Sequence, residues 1–156
     1  MQISQAGADF IKSWEGFEAR AYRDAGGVWT IGYGHTEGFA DGRFDAGSVI
    51  TQQDATKLLY RDLEPREEAV SGAAKVALAQ HEFDALASLV FNIGAGGFRT
   101  STVLRLLNEG DRAGAGAAFL MWDKITINAE LRTCAGLQRR RQAESEMFLK
   151  GLYRPA

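Results

Sequence analysis

The chain has 156 residues, 46% apolar and 24% charged, with a net charge of -2 and a single cysteine, Cys134. That length suits one domain burying roughly two thirds of its unfolded surface, and one cysteine excludes an internal disulfide or a cysteine-built metal cluster. The charge gives no footprint for nucleic acid, no apolar run approaches the ~18 residues of a membrane span, and the first residues lack the basic and apolar parts of a signal peptide, so the expected place of synthesis is a cytosol.

Ser4 is a good N-cap, and Ala6, Phe10, Ile11 and Trp14 follow at helical spacing. This first helix ends at Gly16, which sets Glu15 on its last turn. Eight glycines then fall between residues 16 and 47, among aromatic and β-branched residues. Residues 17–23 and 28–33 read as strands joined by Asp24-Ala25-Gly26-Gly27, a hairpin signal, with a third short strand expected near 43–45. So small a sheet must lean on other elements.

Thr51 to Asp54 looks like a helix start, and Leu58, Leu59 and Leu63 supply its apolar stripe, with Pro65 expected to kink or end it near Glu64. Further helices are expected at 74–79, 80–93, 101–108, 111–122 and 137–149, with Gly94-Ala95-Gly96-Gly97 breaking the chain between the second and third. The stretch 125–132 carries no clear assignment. Arg139-Arg140-Arg141 is a basic run, for which a solvated helix face is the plainer reading and an anionic docking site the alternative. The expected fold class is α+β: a mostly helical body with a small glycine-rich antiparallel β lobe inserted after the first helix, and a cleft between them.

Glycoside hydrolysis needs one protonated carboxyl to donate to the leaving oxygen and one ionised carboxylate across the bond. Glu15 suits the first role: the helix C-terminus disfavours a negative charge there, and any desolvation by Trp14 and Phe17 acts in the same direction. Asp24, in a glycine-rich turn open to water, suits the second. Thr30 follows six residues later on a strand, offering a hydroxyl that can fix one water.

The whole run, Trp14-Glu15-Gly16-Phe17 through Tyr22-Arg23-Asp24 to Trp29-Thr30-Ile31-Gly32-Tyr33-Gly34-His35, resembles the phage-type lysozymes, the endolysins related to the T-even phage enzyme. Their signature of Glu, eight residues, Asp, five residues, Thr and Ile-Gly-x-Gly-His is intact here. The likeness continues at Thr51–Asp62, Phe91–Gly94, Gly97-Phe98 with Ser101, and Gly136-Leu137 with Arg140, Arg141 and Glu144.

The resemblance implies a lysozyme-like fold and a muramidase. Its substrate would be the glycan strands of peptidoglycan, cut at the β-1,4 bond between N-acetylmuramic acid and N-acetylglucosamine. Glu15, Asp24 and Thr30 are the implied catalytic set. Thr36, Phe91, Asn92 and Ser101 are the implied substrate contacts, and His35 and Asp62 the implied structural ion pair. An arginine of 139–141 is expected to reach Glu15, with the register open.

The resemblance also implies a monomer with no metal or cofactor, no nucleic-acid partner and no stable membrane insertion. Such an enzyme is made in the cytoplasm of a bacterial host and acts on the wall after release, with a separate holin-like permeabiliser. One domain over 1–156 is expected, with a β lobe at about 16–48, a connecting helix at 51–64, and a helical lobe from 1–15 and 66–156. A non-hydrolytic peptidoglycan-binding scaffold and a lytic transglycosylase remain alternatives, as do inversion and retention at the anomeric carbon.

Overall fold

The computed structural model describes residues 1–24, 26–36, 38, 44–127 and 130–156. Helix α1 spans Gln5–Glu15, and the Ser4 hydroxyl caps it by accepting from the Gly7 N–H. Its inner face is Gly7, Ala8, Phe10 and Ile11. It stops at Gly16, whose φ of 74° and ψ of 165° lie in a region essentially reserved for glycine, outside the left-handed helical well. The Gly16 N–H still closes the helix on the Lys12 carbonyl.

Strands β1 (Glu18–Arg23) and β2 (Trp29–Gly32) form the expected antiparallel hairpin, with Tyr22 opposite Thr30 and an irregular register between Glu18 and Tyr22. The third strand expected at 43–45 is not found at Phe44 or Asp45, and Arg43 lies outside the described residues. Instead β1 pairs with residues 48–50, through Ala21 N–H to Ser48 O and Ile50 N–H to Ala19 O. Phe44 uses its ring to fill a small core with Ala21 and Ile31.

Helix α2 (Gln52–Ala73), capped by Thr51, continues past Pro65. The expected stop at Glu64 does not occur, because Pro65 is on the exposed side of the helix, while Leu63, Ala69 and Val70 hold the other side in the core. Water can serve the carbonyl that proline leaves unpaired. The helix expected at 74–79 is absent. The backbone there is satisfied from far along the chain: Asn108 bridges Lys75 N–H and Ala73 O, and Arg112 donates to Ala77 O.

Helix α3 (Gln80–Arg99) is the spine, with Phe83, Ala85, Leu86, Ala87, Leu89 and Val90 buried in succession. Gly94 (φ 76°) breaks its path after Ile93, where the glycine run is expected to act. Helices α4 (Thr102–Asn108) and α5 (Arg112–Ala118) follow, and a 3-10 turn occupies Phe119–Met121. The Ala/Gly-rich α5 packs very close to the last helix: a Cβ on Gly116 would lie 2.5 Å from Leu149 Cγ.

The unassigned stretch at 125–132 is a second antiparallel hairpin, β3 (Lys124–Ile127) with β4 (Glu130–Thr133). Helix α6 (Ala135–Lys150) ends at Gly151 in the left-handed conformation. One large cluster joins α1 through α6, with Phe83, Phe98, Phe119 and Phe148 among its fully buried side chains. Each such ring contributes about 2–3 kcal/mol of burial. Phe98 and Phe148 are core, whereas Phe91 and Trp122 only pack against its edge. No described helix is long and apolar enough to cross a membrane.

Candidate active site

Glu15 sits where α1 meets the β hairpin. Its side chain keeps 21% of its accessible surface. Gly34, whose φ of 88° favours glycine, lies beside the carboxyl: a Cβ there would stand in ordinary contact, 3.8 Å from Glu15 Oε2. Arg140 Nη1 donates to Glu15 Oε1 at 2.7 Å. The basic run is therefore no solvated face: Arg140 and Arg141 are buried, and Arg139 alone is exposed. The arginine expected to reach Glu15 is Arg140.

Behind it lies an ionic cluster that sequence reasoning does not find. Glu144, wholly buried, accepts at Oε1 from Ser88 Oγ (2.7 Å), Arg141 Nη2 (2.9 Å) and Arg140 Nε (3.2 Å). Arg141 Nε lies 2.8 Å from Glu144 Oε2 as an ion contact without hydrogen-bond alignment. Arg141 Nη1 donates to Asn92 Oδ1 at 3.1 Å. Burial pulls the Arg141 guanidinium below its ordinary value, and the Glu144 carboxylate opposes that. The usable signal is the spacing: Glu144 falls three and four residues after the arginines, on their own helix face.

Asp24 opens the hairpin turn. Its Oδ1 accepts from the Gly26 and Val28 N–H groups, both at 2.9 Å, while Oδ2 has no partner among the described residues. The Asx-turn role and an available carboxylate oxygen thus coexist. Thr30 is buried, and its hydroxyl donates to the Val28 carbonyl at 3.2 Å, which also receives the Asp24 N–H. With its proton committed, Thr30 Oγ1 has only acceptor capacity left.

Tyr22 links these residues. Burial first, then the Glu18, Asp24 and Glu15 carboxylates, push its phenol up. Both Glu15 and Asp24 are thus near enough for their charge to be felt at one phenol. Its pairing with Thr30 across the sheet could have flagged it.

The remaining expected positions divide. His35 Nδ1 lies 2.9 Å from both Asp62 carboxylate oxygens, and Nε2 lies 2.8 Å from the Gly38 carbonyl. Both partners are acceptors, so both nitrogens donate only in the imidazolium form. This pair ties the turn after β2 to α2. Thr36 is exposed next to it. Phe91 is half-buried under the Arg66 guanidinium, and Asn92 is exposed. Ser101 is buried, caps α4 by accepting from Leu104 N–H, and donates to Phe98 O.

Among the described residues no cluster of three His, Cys, Asp or Glu side chains is arranged to hold a metal. One pocket of about 630 Å³ is lined by Trp14, Leu120, Gln138, Arg139 and Arg154, and neither Glu15 nor Asp24 lines it. A polymer lies along an open groove, so enclosed volume is a poorer guide here than the side-chain chemistry.

A helical body with a glycine-rich hairpin after its first helix, carrying Glu, Asp and Thr in that order, defines the lysozyme-like class. The profile of the Phage lysozyme family matches residues 12–144, and the chain belongs to that family. It is 43% identical over 148 residues to the endolysin of Acyrthosiphon pisum secondary endosymbiont phage 1, covering 95% of this chain and 98% of that one. The solved endolysin from Escherichia coli O157:H7 phage FAHEc1 matches with a TM-score of 0.93 and 38% identity, over 99% of this chain and 97% of the other. The muramidase domain of SpmX from Asticaccaulis excentricus matches with a TM-score of 0.88 and 42% identity, over 96% and 98%.

Proposed function

We propose that this protein is a muramidase that hydrolyses the β-1,4 bond between N-acetylmuramic acid and N-acetylglucosamine in peptidoglycan, in the service of host-cell lysis. The observation that carries the reading is Glu15 at the end of α1, its carboxyl held by Arg140, with Asp24 and Thr30 on the hairpin that follows directly after it. Membership of a lysozyme family supports it, as does the name of the SpmX muramidase domain.

In this reading Glu15 gives its proton to the glycosidic oxygen as the bond to the anomeric carbon breaks. Arg140, donating to Oε1, stabilises the carboxylate that forms, so its charge is most useful at the transition state. Asp24 Oδ2 and Thr30 Oγ1 each accept a proton of one water, which attacks the anomeric carbon from the opposite face and passes a proton to Asp24. Two acceptors on one water favour single displacement with inversion. Thr36, Phe91 and Asn92 line the sugar path, and the two lobes work as one monomeric domain. Release from the cytoplasm to the wall requires a separate permeabilising partner.

Mass analysis of products from purified wall tests this. Reducing muramic ends are expected. Anhydro sugars would mean a transglycosylase, and an intact glycan would mean a binding scaffold.

A further inference from the structure

The cluster behind Glu15 has a second end. Glu144 Oε1 receives Arg140 on one side and Arg141 on the other, and Arg141 goes on to hold the carbonyl oxygen of Asn92. Arginine has only donors, so the oxygen of that amide is the atom turned to it, and Asn92 Nδ2 is left over. Asn92 is exposed, two residues before the Gly94 break in α3, and Nδ2 has no acceptor among the described residues. A buried ion cluster that fixes an exposed amide in one sense is more than a core salt bridge needs.

We propose that Arg141 and Glu144 are positioning residues that present Asn92 to the substrate solely as a hydrogen-bond donor, for an acceptor oxygen such as an acetamido carbonyl of the glycan. This rests on the muramidase reading for its ligand. The same cluster carries Arg140 to Glu15, so one carboxylate sets both the acid's counter-charge and a substrate contact.

Asn92→Asp is the discriminating variant. It keeps an oxygen for Arg141 and removes the donor. The expected result on soluble glycan fragments is a KM raised at least tenfold, a kcat within twofold of wild type, and an undiminished Tm. A purely structural Asn92 predicts an unchanged KM, and that result overturns the proposal. Glu144→Gln, if folded, raises KM similarly, and adding Asn92→Asp to it brings little further change, because both act on one contact. If Glu144→Gln does not fold, Asn92→Asp decides alone. If wild type shows no hydrolysis, the muramidase reading fails by itself. Calorimetric affinity for the same fragments, in a Glu15→Gln background with and without Asn92→Asp, then decides the matter: a tenfold loss supports the donor role and equal affinity refutes it.

Discussion

Glu144→Ala removes the hub of the buried cluster. Glu144 and Arg141 are both fully buried, and Ser88 gives its hydroxyl proton to the same carboxylate oxygen. Without Glu144, Arg141 retains only the neutral Asn92 oxygen, and Ser88 loses its acceptor. Stranding one partner of a buried ion pair costs about 3–5 kcal/mol, and the lost hydroxyl bond about 1 kcal/mol more. The sum is a large part of the roughly 5–15 kcal/mol that holds a domain folded. At about 2–4 °C per kcal/mol for this size, Tm falls by on the order of 10 °C. Urea unfolding followed by circular dichroism reads this directly, with the slope m expected to hold. A loss below about 1 kcal/mol would refute the view that these charges depend on one another. Replacing both partners, as Glu144→Leu with Arg141→Met, is expected to recover part of the loss, since it also removes the desolvation cost.

Three further outcomes follow from other contacts. Gly7→Ala places a Cβ 2.6 Å from Asp84 Cγ and 2.8 Å from Ile3 Cγ1. Asp84 is held by Ser4, Gln80 and Tyr153 and cannot retreat, so a loss of about 1–3 kcal/mol is expected in denaturant despite alanine's better helix propensity, and an unchanged midpoint contradicts it. Pro65→Ala restores a backbone donor on an exposed helix face and is expected to raise stability by about 2 kcal/mol in the same assay. Tyr153 is pushed up to about 12, by burial first and then by its hydrogen bond to Asp84. The folded value exceeds the unfolded one, so this contribution is whole below pH ~10 and is lost as pH rises through about 12. Ultraviolet titration of Tyr153→Phe should lack the last tyrosine step, and coincident curves would contradict the assignment.

What the sequence makes legible is whatever local chemistry decides. Ser4, Gly16 and the Asp24–Gly27 turn punctuate the chain unambiguously, so α1 and the hairpin stand where expected, with Glu15, Asp24 and Thr30 among them. The failures have distant causes. Residues 74–79 have helical composition, yet Asn108 and Arg112 take their backbone groups from more than 30 residues away. Whether Pro65 ends a helix depends on which side of α2 faces water, and α2 turns it outward. The arginine run reads as solvated until its partners are known, although Glu144 at helical spacing is a visible hint. The second hairpin packs few apolar side chains inward, with Leu131 72% exposed, and so leaves a weak pattern.

Clearing of purified cell wall by wild type and Glu15→Gln, side by side and with matched circular dichroism, tests the central claim most directly. Glu15→Gln keeps the shape and a group for Arg140 to meet but has no proton to give. The expected result is steady loss of turbidity with wild type and at least a hundredfold slower loss with the variant, in line with the rate carried by general acid catalysis, about 10²–10⁴. Equal rates would mean that Glu15 is not the acid and that the chemistry lies elsewhere.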